Sequence, residues 1–238
     1  MILREDAGPA HPGAYLAFAQ PDHAALAGRL AEAWDDDLPP ALVTATHHHD
    51  DVWAARDAAP PLNAATGRPE TFLELDPEDR AAVWGQAPAL AAPVGEEAEL
   101  WVLRHAERLH ADRNAAVLKA MTASISARID ALIEGLRARG PGFDDAALAR
   151  GTSLLALWDT LALRLCFGVD EPVQAGVLRL RPSGDAVAVA PWPFVGARVA
   201  TTVRTRRLTA PVTTQAELDA AWAAAEPFDL PLTLVRAD

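Results

Sequence analysis

Hydrophobic residues recur at the three- and four-residue spacing of a helix face through the middle of the chain. Three segments are typical helix starts, because proline fits the first helical turn. They are Gln20-Pro21-Asp22, Pro39-Pro40 and Asp76-Pro77. The longer predicted helices cover residues 96–110, 113–139 and 144–168. A largely helical body is therefore expected in the middle of the chain.

Near both ends, apolar and polar residues alternate instead. Residues 2–4 and 15–19 predict a hairpin, and residues 177–181 and 199–208 predict further strands. Helices in the middle and strands near the ends favour a fold of the α+β class that is mostly α.

This pattern predicts a single domain over residues 1–238. Its helical core covers residues 20–168. The segments 1–19 and 173–238 are expected to form a small antiparallel β-sheet appended to that core.

Composition and charge narrow the functional classes. The 238 residues are 50% hydrophobic and 23% charged, which is typical of a globular protein. No stretch approaches the roughly 20 apolar residues of a membrane-spanning helix, so a membrane protein is not expected. No basic segment leads into an apolar run at residue 1, so a secretory signal is not expected either. The net charge of −12 disfavours binding to nucleic acid or to anionic membrane surfaces. With Cys166 as the one cysteine, an internal disulfide and a four-thiolate zinc site are excluded, and a reducing cytoplasm is the expected location.

The segment His47-His48-His49-Asp50-Asp51 is the densest group of potential metal ligands. His47 and His48 are expected at a solvated helix end. His49 shares the apolar face of its predicted helix with Leu42 and Trp53, so it is expected to be buried. Adjacent His and Asp side chains on a helix point about 100° apart, and one ion against the helix could bind both. The alternative for His49 is a hydrogen-bonded core histidine.

Three further polar residues lie on predicted apolar faces: His23, His105 and Asp159. Asp159 is the only charged residue within residues 154–163, and a buried carboxylate is costly unless it is paired or bound to metal. An arginine partner is the alternative to a metal. Helices packed around one core bring such side chains together, so we predict a metal site. Its expected ligands are His23, His49, Asp50, His105 and Asp159.

The order His23, His49-Asp50, Asp159 resembles the HD-domain superfamily of metal-dependent phosphohydrolases. Those proteins have a histidine, an adjacent His-Asp pair and a distant aspartate on a helical core. The resemblance implies an HD-like helical core here and the hydrolysis of a phosphate ester.

A second resemblance covers nearly the whole chain. The segments that carry it are Gln20-Pro21-Asp22-His23, His49-Asp50-Asp51-Val52-Trp53, Asp57-Ala58-Ala59-Pro60, Gly67-Arg68-Pro69, Arg104-His105, Asp159 and Pro191-Trp192-Pro193-Phe194. They resemble an uncharacterised bacterial family, domain of unknown function 3891. Val52 stands where glycine is usual, and the serine and glycine usual around His105 are missing. These differences affect the surroundings of the ligands rather than the ligands themselves. The resemblance implies a shared fold without an established activity.

Histidine and carboxylate ligands without thiolate suit Mn²⁺, Fe²⁺, Co²⁺ or Ni²⁺, with Mg²⁺ and Zn²⁺ also compatible. We predict one or two divalent ions, with His105 as a fifth ligand or as a ligand of the second ion. Asp51 is the candidate catalytic residue, which would orient a water molecule or support a ligand. Arg68 and Trp53 are candidates for binding a small anionic substrate, although an exposed Arg68 and a packed Trp53 are the simpler explanations.

Three functions remain open. The first is metal-dependent hydrolysis of a phosphate ester, such as a nucleotide or a small metabolite. The second is an iron-dependent, oxygenase-type reaction with dioxygen, as the presence of extra histidine ligands in some HD-like proteins implies. The third is non-enzymatic, a degenerate helical scaffold that binds a ligand or partner. A homodimer is compatible with all three and is the commonest oligomer.

Overall fold

The computed structural model describes residues 1–6, 11–209 and 211–237. The helices are α1 (Gln20–Glu32), α2 (Pro40–His48), α3 (Ala54–Ala58), α4 (Pro77–Trp84), α5 (Ala87–Ala91), α6 (Glu96–His110), α7 (Ala116–Arg139), α8 (Asp145–Phe167) and α9 (Gln215–Ala224). The strands are β1 (Ile2–Glu5), β2 (Tyr15–Phe18), β3 (Leu62–Asn63), β4 (Arg68–Pro69), β5 (Val173–Ala175), β6 (Leu178–Ser183), β7 (Ala186–Ala190), β8 (Arg198–Leu208) and β9 (Pro227–Arg236). Two short 3-10 turns lie at Asp51–Trp53 and Ala92–Val94.

Seven of these strands form one curled sheet in the order β1-β2-β8-β9-β7-β6-β5. Neighbouring strands are antiparallel except for β7 and β9, which run parallel with Val187 opposite Leu234. The hairpin predicted near the start of the chain is formed by β1 and β2, with Ile2 opposite Phe18. Residues 7–10 in its connection lie outside the described residues. The strands β3 and β4 form a separate pair.

The fold predicted from the sequence, an HD-like helical core with a small antiparallel sheet, is wrong. Within the described residues, helices hold 51% and strands 21%, and the sheet is large and mixed instead of small and antiparallel. The main reason is β9, which follows α9 and inserts between β8 and β7 rather than joining an edge. Alternation of apolar and polar residues predicts a strand but does not identify its neighbours, so the parallel pair could not be predicted.

The main hydrophobic core lies between the helices and the sheet. Its largest fully buried side chains include Trp53, Trp84 and Trp158 from the helical segments and Phe18 from β2. Burial of such aromatic residues removes a large apolar area from water, which fixes the helices against the sheet. Within the described residues, no helix combines the length and the apolar character needed to cross a membrane.

Two glycines allow pairs of helices to approach closely. A Cβ atom at Gly28 of α1 would collide with the His47 ring of α2, and one at Gly151 of α8 would lie 2.5 Å from the Trp101 ring of α6. These contacts bring α1 against α2 and α6 against α8. The four segments that carry the predicted metal ligands are thereby held close to one another.

Candidate metal centre

His23 lies one turn into α1 and is fully buried. The residue before α1, Ala19, has no side chain that could accept the first helical N–H groups. Instead, the buried carboxylate of Asp57 accepts a hydrogen bond from the Gln20 N–H at 2.6 Å. A carboxylate at a helix N-terminus also interacts favourably with the helix dipole. Asp57 therefore fixes the first turn of α1 and, with it, the position of His23.

The segment after α2 supplies two adjacent side chains. The single helix predicted through Trp53 is wrong, because α2 ends at His48 and Asp50 has φ −115° and ψ 16°, outside the helical range. Adjacent side chains diverge by about 100° on a helix, and the break allows those of His49 and Asp50 to turn toward the same point. The His49 Nδ1 donates a hydrogen bond to the Thr46 carbonyl at 2.8 Å, which fixes the ring.

Asp159 from α8 and His105 from α6 complete the group. The Asp159 carboxylate is buried, with Oδ1 3.4 Å from His23 Nε2 and Oδ2 3.8 Å from His105 Nε2. The His23 Nε2 also lies 3.2 Å from the Asp159 carbonyl oxygen. Among the residues that the structure describes, no arginine pairs with Asp159, so its charged partners are histidines.

The remaining distances show that the five side chains converge. The Asp50 Oδ2 lies 3.3 Å from His23 Nδ1 and 3.5 Å from His49 Nε2, and His49 Nε2 lies 3.7 Å from Asp159 Oδ1. His23, His49 and Asp159 each offer a ligand atom within 4.8 Å of the others. Most of these separations are long for hydrogen bonds. They suit atoms that share one ion, because metal bonds of about 2.0–2.2 Å place neighbouring ligands roughly 3.0–3.5 Å apart. We call His23, His49, Asp50, His105 and Asp159 the ligand cluster.

Unsatisfied imidazole nitrogens are a second feature of the cluster that suits a cation. Within the described part of the chain, His23 Nδ1, His49 Nε2 and His105 Nδ1 are buried and have no hydrogen-bond partner. Buried polar atoms are normally paired. Because His49 Nδ1 carries the proton that Thr46 accepts, Nε2 presents its lone pair to Asp50 and Asp159. A ring held by a carbonyl at one nitrogen and open at the other is the usual arrangement of a metal-binding histidine. The donor set therefore fits a divalent ion.

The electrostatics of the cluster favour a bound positive charge. Burial alone would lower the pKa of His23, but the carboxylates of Asp159 and Asp50 raise this pKa to about 10. Burial would raise the pKa of Asp159, yet His23 and His49 hold it well below the usual value. At His105, burial dominates and lowers the pKa to about 4. The two carboxylates thus remain ionised and retain a cation at neutral pH, a proton on His23 or a metal ion in its place.

The other predicted site residues lie in different places. The Asp51 carboxylate accepts a hydrogen bond from His48 Nδ1 at 2.7 Å and is partly exposed, outside the ligand cluster. Arg68 lies 3.6 Å from Glu5, with its guanidinium 5.1 Å from the centre of the Tyr15 ring. The catalytic role of Asp51 and the substrate-binding role of Arg68 stay predictions. Trp53 is buried and lines a cavity beside the cluster.

That cavity has a volume of about 370 Å³ and reaches Asp50, His105 and Asp159. Such a volume suits a small-molecule ligand. Arg80 of α4 and Arg113 after α6 also line it, and no pattern in the sequence selects either one. Each is an ordinary polar residue of its own segment, and only the packing of α4 against the end of α6 brings them together.

Comparison with known proteins adds a family. A family model described as "Protein of unknown function (DUF3891)" matches residues 1–210. The match confirms the resemblance to that family, while the resemblance to HD-domain phosphohydrolases is not confirmed. Neither the comparison with curated proteins nor the comparison with solved structures gave a match. An activity therefore has to be argued from the ligand cluster and its cavity.

Proposed function

We propose that this chain, which belongs to the family Protein of unknown function (DUF3891), is a metal-dependent hydrolase of a phosphate ester. The observation that supports this is the convergence of three imidazoles and two carboxylates, with unsatisfied imidazole nitrogens, beside a ligand-sized cavity. The donor set suits one or two ions of Mn²⁺, Fe²⁺, Co²⁺ or Ni²⁺, with Mg²⁺ and Zn²⁺ compatible. A nucleotide or a small phosphorylated metabolite is the proposed substrate class.

Each member of the cluster has a distinct task in this proposal. A bound divalent ion supplies a water molecule of lowered pKa and stabilises charge on a phosphoryl oxygen. Asp50 and Asp159 supply the negative charge that retains the ion, and the Thr46 carbonyl keeps the His49 Nε2 lone pair directed at it. Because the pKa of His105 is lowered to about 4, its imidazole stays neutral at pH 7 and available as a ligand.

The environment of Asp51 favours one of the two roles considered for it. Its carboxylate contacts His48 rather than the cluster, and it directly follows Asp50 in the 3-10 turn after α2. We propose that Asp51 supports the turn that carries Asp50, and that it does not touch the reacting water.

Elemental analysis followed by phosphatase assays tests the proposal. Purified protein should contain stoichiometric metal, and manganese or another divalent ion should stimulate phosphate release from a panel of phosphate esters. His49→Ala should lose both metal and activity, whereas His48→Ala should keep both, because His48 pairs with Asp51 outside the cluster. Protein that contains no metal and whose melting temperature added divalent ions leave unchanged would instead favour a non-enzymatic binding scaffold.

One observation favours a second candidate, an oxygenase-type reaction of iron with dioxygen. The His105 ring lies 4.9 Å from the His49 ring, so a third imidazole reaches the same centre. Histidine-rich sites with a carboxylate are suited to Fe²⁺. Iron as the native metal together with substrate-dependent oxygen uptake would support this candidate, and manganese-stimulated phosphate release would support hydrolysis.

A further inference from the structure

The cavity beside the ligand cluster has a cationic end. Its lining there consists of Arg80 of α4, His110 at the end of α6 and Arg113 after α6. These residues lie beyond the side chains that would bind metal. Arg113 is exposed, Arg80 is partly buried, and the His110 Nδ1 donates to the Ala106 carbonyl at 2.7 Å. The positive charge at this end comes from the two arginines, because burial and the charges of Arg80 and Arg113 lower the pKa of His110 and leave its imidazole neutral at pH 7.

Among the residues that the structure describes, Arg80 and Arg113 have no acidic partner. Arg80 donates one hydrogen bond, to the Phe72 carbonyl at 2.9 Å, and within the described residues neither Arg80 nor Arg113 forms an ion pair. Arg128, by contrast, holds the buried carboxylate of Glu99. Burial, and then the nearby Arg113, lower the pKa of Arg80, so the two like charges oppose each other. A bound anion would relieve that repulsion.

Unsatisfied polar atoms lie along the same cavity. The Gln20 side-chain oxygen and the Trp53 indole N–H are buried, border the cavity and have no partner among the described residues. They add an acceptor and a donor to the unsatisfied His105 Nδ1. A buried donor and a buried acceptor without partners are costly unless a ligand or water binds them. Between the ligand cluster and the arginines, the Trp53 and Trp84 rings form the apolar walls of the cavity.

The cationic end is separate from the ligand cluster. His105 and His110 are five residues apart on α6, which is about 7.5 Å along the helix axis. The Trp84 ring lies between them, with its centre 6.4 Å from the His105 ring and 5.3 Å from the His110 ring. An anion at the arginines is therefore not the group that would bind at the metal.

We infer that the cavity binds a phosphate ester with a second anionic group, a carboxylate or a phosphate, and that Arg80 and Arg113 bind this second group. The apolar or aromatic middle of this ligand lies between the Trp53 and Trp84 rings. Along it, the Gln20 side-chain oxygen accepts a hydrogen bond and the Trp53 indole N–H donates one. The assignment of the first group to the metal rests on the proposed function. The assignment of the second group rests on the arginines alone.

Two phosphonates test this inference without turnover, since their carbon–phosphorus bond replaces the ester bond. Phenylphosphonate and 4-carboxyphenylphosphonate differ only in the second anionic group. Isothermal titration of the manganese-loaded wild-type protein should show at least about tenfold tighter binding of the carboxylated compound, because bidentate arginine–carboxylate contacts are strong. The double variant Arg80→Gln/Arg113→Gln should lose that gain. Arg113→Gln alone, at an exposed position where folding is not at risk, should lose part of it.

Arg181→Gln is the matched control, because Arg181 is an exposed arginine of β6 outside this cavity. It removes one positive charge, as Arg113→Gln does, and should keep the full gain. Equal affinity for both compounds in the wild type, no measurable binding of either, or an undiminished gain in the double and single variants would overturn the inference. If the arginine-dependent gain is present but no phosphate ester is hydrolysed, the proposed function fails and the second-anion site stands. If phenyl phosphate is hydrolysed but the carboxylate group adds no affinity, the proposed function stands and the second-anion site fails.

Discussion

Metal binding should raise the melting temperature of the wild-type protein, and His49→Ala should remove most of that rise. A ligand that binds only the folded state stabilises it by about 2.7 kcal/mol at a concentration of 100 times Kd. For a chain of this length, 1 kcal/mol corresponds to roughly 2–4 °C in Tm. The expected rise is therefore about 5–11 °C.

Replacement of His49 should cause the largest loss of the metal-induced rise in melting temperature. Its imidazole is fully buried, its Nδ1 is held by Thr46, and its Nε2 faces both Asp50 and Asp159. Removal of a residue that merely supports a ligand weakens metal binding about 10–100-fold, and loss of a ligand should cost no less. At a hundredfold weaker affinity, the same metal concentration equals Kd and stabilises by only about 0.4 kcal/mol, or 1–2 °C.

Differential scanning fluorimetry with and without Mn²⁺ measures the effect after the protein has been treated with chelator. Each variant is compared with its own metal-free form, because deletion of a buried imidazole also leaves a void that lowers Tm by itself. His48→Ala is the matched control, since the His48 side chain is half-exposed and pairs with Asp51. An unchanged metal-induced rise in His49→Ala, or its loss in His48→Ala, would refute the assignment of the ligand.

Three further predictions concern stability and reactivity. Gly151→Ala places a methyl group 2.5 Å from the buried Trp101 ring. The resulting overpacking costs about 1–3 kcal/mol, which should exceed the gain in helix propensity of about 1 kcal/mol. Denaturant unfolding should therefore show a less stable protein. Gly135→Ala, where the new methyl group meets no atom within 4 Å apart from its chain neighbours and the local helix backbone, should by contrast stabilise α7. Equal effects at the two glycines would contradict this prediction. Cys166 is buried and its pKa is raised to about 12, so a thiol reagent at pH 8 should modify unfolded but not native protein. The pKa of His105 is about 4 in the folded state and 6.5 when unfolded, so the unfolded state binds more protons between these values. Metal-free protein should therefore lose on the order of 3 kcal/mol of stability as the pH falls from 6.5 to 4, and His105→Gln should remove that part of the pH dependence.

The members of the ligand cluster could be selected from the sequence because each breaks an apolar pattern. Asp159 is the one charge among apolar neighbours, and His23 and His49 occupy positions where a helix face is otherwise apolar. Such residues are costly in a core unless something binds them, which is a physical reason to expect them to meet. The sequence thus predicted the donors, and the structure supplies their separations.

Features that depend on packing between distant segments could not be predicted in this way. The end of α2 at His48 depends on the turn that follows, and no glycine or proline marks it. Arg80 and Arg113 become neighbours only through the packing of α4 near the end of α6. The position of β9 inside the sheet likewise depends on pairing choices that alternation alone does not encode.

Several segments that carry the family resemblance touch no ligand, and their contacts explain how they affect the cluster. At the start of α1, Asp57 accepts the Gln20 N–H. Beyond its end, the Asp35 N–H donates to the Pro193 carbonyl at 2.9 Å, and the Phe194 ring lies 5.2 Å from the Trp34 ring. The helix that carries His23 is thus held at both ends by residues far away in sequence.

The same contacts extend to the helix that carries Asp159. The Trp34 ring lies 5.7 Å from the ring of Trp158, which directly precedes Asp159 on α8. Phe194, Trp34 and Trp158 therefore form one packed row from the loop after β7 to the cluster. A change in this row should alter the separation of α1 and α8, and with it the 3.4 Å distance between His23 Nε2 and Asp159 Oδ1. Because ligand separation determines metal affinity, the sheet and its loops should influence metal binding at the ligand cluster although they supply none of its side chains.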